Sequence, residues 1–259
     1  MPAWDPDLYA RFADHRDRPF HDLVARVRAA DPQLVADLGC GPGTLTRTLL
    51  DRWPGATVVG VDSSAEMIEA AQAQAGEGLT FELADLRSWV GRAGRAAYDV
   101  IISNATLQWV PRHLGLLPDL VDRLAPGGWL AIQVPGNHDA PLHAILRQLA
   151  RREPYAAHVA GAADRFALPA PEDYLRALVA VGCAVDAWET TYQQVLPGED
   201  AVFAWISGTG ARPVLQALPD GLRQRFESEY RERLRAAYPR QGFGTVLPFR
   251  RVFAVAQRS

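Results

Sequence analysis

The sequence predicts an α/β fold: a largely parallel sheet of about seven strands with helices on its faces, and a helical cap formed by insertions after strands 5 and 6. Three observations predict it. Short apolar runs alternate with amphipathic stretches through the first half of the chain, the pattern of parallel strands joined by crossover helices. Glycine-rich turns or lone polar residues stand directly after those apolar runs. Beyond residue 137 the alternation gives way to helical stretches, interrupted by two separated β-rich segments.

Leu34–Leu38 reads as the first strand, ending in the turn GCGPG. A helix should follow from Thr44 to Trp53, stopped by Pro54-Gly55. Thr57–Val61 is the second strand, closed by Asp62. Ser63 or Ser64 can cap the next helix, Ala65–Ala75, with Glu66 near its positive end. Leu79–Leu83 is the third strand, with Asp85 just beyond, and Asp99–Ser103 is the fourth. A helix over Leu114–Leu124 should stop at Pro126-Gly127-Gly128, before a fifth strand at Trp129–Val134. Residues 138–183 read as helices and loops, Val185–Val195 as β-rich, 199–247 as helical and Phe249–Ala256 as a final strand. The division expected is therefore a core of 1–137 with 184–196 and 248–259, and a cap of 138–183 and 197–247.

Composition excludes some function classes. The chain has 259 residues, 22% of them charged, with a formal net charge of -3, so no global basic field draws it to nucleic acid or anionic lipid. No apolar run approaches the roughly 18 residues of a membrane span. The start, MPAWDPDLYARF, lacks the basic flank and apolar core of a signal peptide. Cys40 and Cys183 are far apart and show no metal spacing. A cytoplasmic protein with no structural metal and no nucleic-acid or membrane partner is expected.

Ligands of open α/β sheets bind beyond the carboxyl ends of the strands. There the turn after strand 1 presents Gly39, Gly41 and Gly43. Glycine accepts positive φ and lets a backbone lie close against a ligand. A dinucleotide fingerprint needs GxGxxG, but its last glycine would fall on Thr44 or Thr46. The spacing GxGxG after Asp37-Leu38 instead favours S-adenosylmethionine, which has no pyrophosphate to seat on the helix end. Asp62 can accept hydrogen bonds from ribose hydroxyls, Asp85 can meet the adenine amine, and Asn104 can face the methionine part.

The segments DLGCGPG, VDSS, ADLRSW and NATLQWV closely resemble the trans-aconitate methyltransferases. So do WDPDLYARFADHRDRPF at the amino end and QVPGN, RREPYA, VDAWETTYQQVLPG, AWISGTG, ARPVL and LPFRRVFAVA further on. Ala204 departs from the pattern, where an aspartate is expected. The resemblance implies a Rossmann-like, class I fold and methyl transfer from S-adenosylmethionine to a carboxylate of trans-aconitate, leaving S-adenosylhomocysteine and a monomethyl ester. It adds Asp37, Ser63 and Leu86, within those segments, to the cofactor set. It also implies an amino-terminal helix closing over the cofactor, with Arg16 or Arg18 meeting its carboxylate and Tyr9 packed nearby.

A small polycarboxylate leaving water needs positive charge and hydrogen-bond donors. Candidates for the acceptor side are Tyr9, Arg18, Gln108, Trp109, Asn137, His138, Tyr192, Arg212 and Arg250. Plainer readings stand beside them: core packing for Trp109 and Tyr192, surface or cap-helix positions for His138 and the nearby His143, and ordinary ion pairs for Arg212 and Arg250. No catalytic residue is named, because a carboxylic acid of pKa about 4 is already ionised at neutral pH. The competing functions are a carboxyl methyltransferase for another acid, such as the malonyl-carrier-protein type, and a non-catalytic S-adenosylmethionine-binding regulator. An NAD-dependent oxidoreductase is disfavoured by the glycine spacing.

Overall fold

The computed structural model describes residues 13–92, 97–159, 161–162 and 168–259, with 13–16 as backbone alone. Helix α1 (Ala13–Val24) buries Phe20, Leu23 and Val24. The alternating segments then fold largely as read, with α4 an additional helix that the sequence reading did not include: β1 (Leu34–Leu38), α2 (Thr44–Arg52), β2 (Thr57–Asp62), α3 (Ala65–Ala71), β3 (Leu79–Leu83), α4 (Leu86–Val90), β4 (Tyr98–Asn104), α5 (Leu117–Asp122) and β5 (Leu124–Pro135). After them come α6 (Pro141–Ala150), α7 (Pro171–Val179), β6 (Cys183–Leu196), α8 (Ala201–Ser207), α9 (Arg212–Ala217), α10 (Asp220–Ala237) and β7 (Thr245–Arg258).

The strands form a seven-stranded sheet in the order β3-β2-β1-β4-β5-β7-β6. Neighbours from β3 to β5 are parallel, whereas β7 runs antiparallel to β5, from Trp129↔Gln257 to Pro135↔Arg251. All five parallel strands therefore end on one edge of the sheet. The order reverses direction beside β1, the place where open α/β sheets hold ligands.

Local differences from the sequence reading have local causes. Ser64, not Ser63, caps α3: its Oγ accepts from the Met67 N–H at 3.3 Å. That helix ends at Ala71 and continues as a 3-10 turn over Gln72–Gln74. The helix expected over Leu114–Leu124 splits into a 3-10 turn, His113–Leu116, and α5. Pro118 lacks an N–H and fits only the first turn of an α-helix, so α5 starts beside it. β5 begins at Leu124, because Pro126-Gly127-Gly128 is absorbed as an irregularity in its pairing with β4.

The chain divides into two compact units. The sheet unit comprises Asp14–Pro135, Pro169–Thr190 and Arg251–Ser259. Its core includes Leu38, Trp89, Ile101, Leu120, Leu130 and Val134. Helix α7, expected in the cap, groups with this unit: Tyr174 and Leu178 are buried in the same core, and the Tyr174 hydroxyl meets His113 Nε2 at 2.5 Å.

The second unit comprises the described residues of Gly136–Leu168 and Thr191–Arg250. Its core includes Leu142, Leu146, Trp205, Phe226, Tyr230 and Leu247. Two tyrosines of this unit lock α6: Tyr230 Oη donates to the Leu142 carbonyl at 2.8 Å, and the Leu142 N–H donates to Tyr238 Oη at 3.2 Å. Among the described residues, no helix is long and apolar enough to cross a membrane, and no group of three or more His, Cys, Asp or Glu could hold a metal ion.

Candidate functional site

The turn between β1 and α2 is set by three glycines in the left-handed region, with φ of 81° at Gly39, 56° at Gly41 and 80° at Gly43. They serve different ends. A β-carbon on Gly39 would lie 1.9 Å from Thr106 Oγ1, and one on Gly43 would lie 2.6 Å from Phe81 Cζ. These two glycines let Thr106, just beyond β4, and Phe81 of β3 pack against the turn. A β-carbon on Gly41 would meet nothing within 4 Å. That residue faces open space, as a backbone that approaches a ligand must.

The turn is fastened to the end of β2. The N–H groups of Gly39 and Cys40 donate to the Val61 carbonyl at 2.7 and 3.1 Å. The Gly41 N–H donates to Asp62 Oδ2 at 3.0 Å, and the Ser64 N–H donates to Asp62 Oδ1 at 2.9 Å. Each oxygen of this half-buried carboxylate thus holds one backbone amide and keeps capacity for a second donor. Ser63, beside it, is exposed. Asp37 is buried beneath the turn and accepts from Thr46 Oγ1 at 2.6 Å. Burial pushes its carboxyl up to about 6, with the Thr46 hydrogen bond opposing and the Asp62 charge adding to the rise.

Beyond β3, Asp85 caps α4: its Oδ1 accepts from the N–H groups of Arg87 at 2.9 Å and Ser88 at 3.3 Å. Asp85 is exposed, while the Leu86 side chain is given to the core. Beyond β4, Ala105 takes a φ of 53° and donates its N–H to the Gln133 carbonyl at 2.9 Å. Thr106 Oγ1 reaches the carbonyls of Asn104 at 3.1 Å and Gly39 at 3.5 Å. A 3-10 turn, Leu107–Trp109, follows. Trp109 is 43% exposed, so it is no core residue.

Asn104 Oδ1 and Gln108 Oε1 are buried without a hydrogen-bond partner among the described residues. The same holds for both side-chain polar atoms of Gln133, which is 0% exposed and pairs in register with Asn104. Gln133 was not singled out from the sequence. The available signal was a carboxamide inside the apolar strand WLAIQVP.

The other expected acceptor residues lie mostly in the second unit. Asn137 is buried, with Nδ2 unpartnered among the described residues. The His138 carbonyl accepts from Arg147 Nη1 at 2.9 Å. His143 faces Gly210 closely enough that a β-carbon there would lie 2.9 Å from its Cε1. Tyr192 is buried on β6, and Arg212 opens α9 half-buried. Arg250 Nη1 donates to the Gly136 carbonyl at 2.9 Å, while the Gly136 N–H donates to the Arg250 carbonyl at 2.9 Å, so this arginine joins two passes of the chain. In the sheet unit, Arg18 is exposed and pairs with Asp22 at 3.7 Å. Tyr9 lies outside the described residues, as does the side chain of Arg16.

These residues fit S-adenosylmethionine. The open side of Gly41, a carboxylate held rigid beside it, and unmet buried carboxamide atoms at the neighbouring strand ends suit a ligand with ribose hydroxyls and an amino-acid end. A family model described as "Methyltransferase domain" matches residues 35–128. The chain is 53% identical to the trans-aconitate 2-methyltransferase of Streptomyces coelicolor, over 99% of this chain and 87% of that protein. It is 51% identical to the trans-aconitate 2-methyltransferase of Streptomyces avermitilis, over 100% of this chain and 98% of that one. Among solved structures, the geranyl diphosphate C-methyltransferase of Streptomyces coelicolor A3(2), in complex with Mg2+, geranyl diphosphate and S-adenosyl-L-homocysteine, shares the fold with a TM-score of 0.55 at 16% identity, over 97% of this chain and 82% of that one. Likeness at this level runs through both units and not the sheet alone, and the chain belongs to the trans-aconitate 2-methyltransferase family, with the Rossmann-like fold of class I methyltransferases.

Proposed function

We propose that this protein transfers a methyl group from S-adenosylmethionine to a carboxylate of trans-aconitate, giving a monomethyl ester and S-adenosylhomocysteine. The observation that carries the reading is the identity of 51% with a trans-aconitate 2-methyltransferase along the whole chain, including the segments outside the matched methyltransferase domain. When bound, S-adenosylmethionine supplies a methyl group already activated by its sulfonium.

The chain's own residues bind and orient. Backbone around Gly39, Gly41 and Gly43 lies against the cofactor, Asp62 receives the ribose hydroxyls, Asp85 with the Leu86 backbone meets the adenine, and Asn104 meets the methionine part. Asp37 stands under the turn with Thr46. In the sheet unit the residues that suit the acceptor are Arg18 and Trp109, and in the second unit they are Asn137, His138, Tyr192, Arg212 and Arg250. Arginine guanidinium groups suit a polycarboxylate because they donate in a planar fork. An ionised carboxylate is already the nucleophile, so the work of the site is alignment of oxygen, methyl carbon and sulfur, and exclusion of water. Two free, buried cysteines, Cys40 and Cys183, support a reducing, cytoplasmic location.

The test is a panel of di- and tricarboxylic acids and a malonyl carrier protein, incubated with methyl-labelled S-adenosylmethionine. The expected outcome is a labelled monomethyl ester of trans-aconitate, identified by mass and NMR. Label on the carrier protein with none on trans-aconitate would overturn the acceptor, and no labelled product at all would favour a non-catalytic binding role.

A further inference from the structure

We infer that Gln133 recognises the amino-acid end of S-adenosylmethionine, its Oε1 accepting from the α-ammonium and its Nε2 donating to the α-carboxylate. The inference rests on the cofactor reading above and extends it to a strand outside the glycine turn. A carboxamide has both a donor and an acceptor, and burying either unmet forfeits its hydrogen bonds to water with nothing in return. Gln133 is 0% exposed with neither atom partnered among the described residues. It sits in an otherwise apolar strand, where leucine or methionine would pack without that cost.

Register places the group. Leu130, Ile132 and Val134 turn to one core of the sheet unit, so alternation sends Gln133 to the opposite face. Asn104 pairs with it directly, and through Ile102↔Ala131 and Asp37↔Ile102 that face is shared with Asp37, just before the glycine turn. Strands lie about 4.8 Å apart, so Gln133 stands roughly 10 Å from β1, within reach of a ligand that starts at Gly41. The Gln133 carbonyl also holds the Ala105 N–H at the positive-φ corner after Asn104, and Thr106 ties that corner to the Gly39 carbonyl.

The pattern of unmet atoms chooses the ligand group. Among the carboxamides of Asn104, Gln108 and Gln133, acceptors are unmet at Asn104 Oδ1, Gln108 Oε1 and Gln133 Oε1, and a donor is unmet at Gln133 Nε2. An ionised polycarboxylate offers acceptors only and, of these atoms, satisfies Gln133 Nε2 alone. An ammonio-carboxylate offers three N–H donors and two acceptor oxygens, and meets both kinds. Reversing the Gln133 amide exchanges its two atoms and leaves the requirement unchanged. Gln108 thereby moves from the acceptor side to the ammonium.

The experiment uses the full chain and two probes measured by calorimetry: S-adenosylhomocysteine, and 5′-methylthioadenosine, which has the same nucleoside without the amino-acid end. Gln133→Met should weaken S-adenosylhomocysteine about tenfold or more, the loss of a charge-assisted hydrogen bond, and leave methylthioadenosine within about twofold. A parallel loss of both probes, or no change in either, would overturn the inference; the second result means that the carboxamide holds water only. A fall in trans-aconitate affinity with both probes unchanged would assign Gln133 to the acceptor and also overturn it. If Gln133→Met does not fold, Gln133→Glu keeps the shape and acceptor oxygens while losing the donor. It should weaken S-adenosylhomocysteine but bind its decarboxylated analogue at least as well as wild type, and the opposite order would refute the assignment. Wild-type protein that binds neither probe would sink the cofactor reading itself, an outcome distinct from all of these.

Discussion

Asp62→Ala removes a carboxylate that already accepts from the Gly41 N–H at 3.0 Å and the Ser64 N–H at 2.9 Å. Two effects follow and can be separated. The first is on the ligand-free protein. Both amides lose a charged acceptor, but the site is half-buried and water replaces much of each bond, so the cost is about 1 kcal/mol per amide. The second is on the cofactor. Loss of a hydrogen bond from ribose to a charged group costs about 1.5–3 kcal/mol, which is roughly ten- to hundred-and-fifty-fold in affinity. Calorimetric titration with S-adenosylhomocysteine measures the second effect, and urea unfolding without ligand measures the first. Methylthioadenosine retains the ribose, so it should weaken in parallel, unlike the behaviour expected for Gln133→Met. A folded Asp62→Ala protein with unchanged affinity for both compounds would show that Asp62 only braces the turn.

Three further outcomes are expected. Gly39→Ala should prevent stable folding, since its β-carbon would lie 1.9 Å from Thr106 Oγ1 at a φ of +81°, whereas Gly41→Ala meets open space and should lose only about 1–2 kcal/mol of backbone preference; equal unfolding midpoints for the two variants would refute the division of labour. Asp37 has its pKa raised to about 6, so between the unfolded value near 3.8 and that value the folded state binds more protons and stability falls as pH rises, by about 3 kcal/mol over the window. Asp37→Asn should flatten that slope in urea unfolding from about pH 4 to 6, and an unchanged slope would place the titration elsewhere. Arg212→Ala should raise KM for trans-aconitate roughly tenfold while S-adenosylhomocysteine affinity stays within about twofold, and normal acceptor kinetics would remove Arg212 from the acceptor set.

The sequence by itself determined the parts of this protein that are local. A strand, a tight turn and a helix lie within one short stretch at residues 34–52, so the need for Gly39, Gly41 and Gly43 is legible as spacing. Asp62 and Asp85 are legible for the same reason, because the end of a strand in an α/β sheet is the place where ligands bind. Tertiary structure decided what depends on partners distant in sequence. Gln133 reads as one polar residue in an apolar strand until the pairing of β4 with β5 sets it beside Asn104. Arg250 reads as an acceptor-side cation or an ordinary ion-pair partner until Gly136, 114 residues earlier in the chain, accepts its hydrogen bond. Helix α7 reads as part of the cap by its position in the chain, yet Tyr174 finds His113 and the sheet unit's core. The placement of β7 between β5 and β6 belongs to the same class. Periodicity records which face of an element is apolar, but the identity of the neighbour that covers it is settled by packing alone.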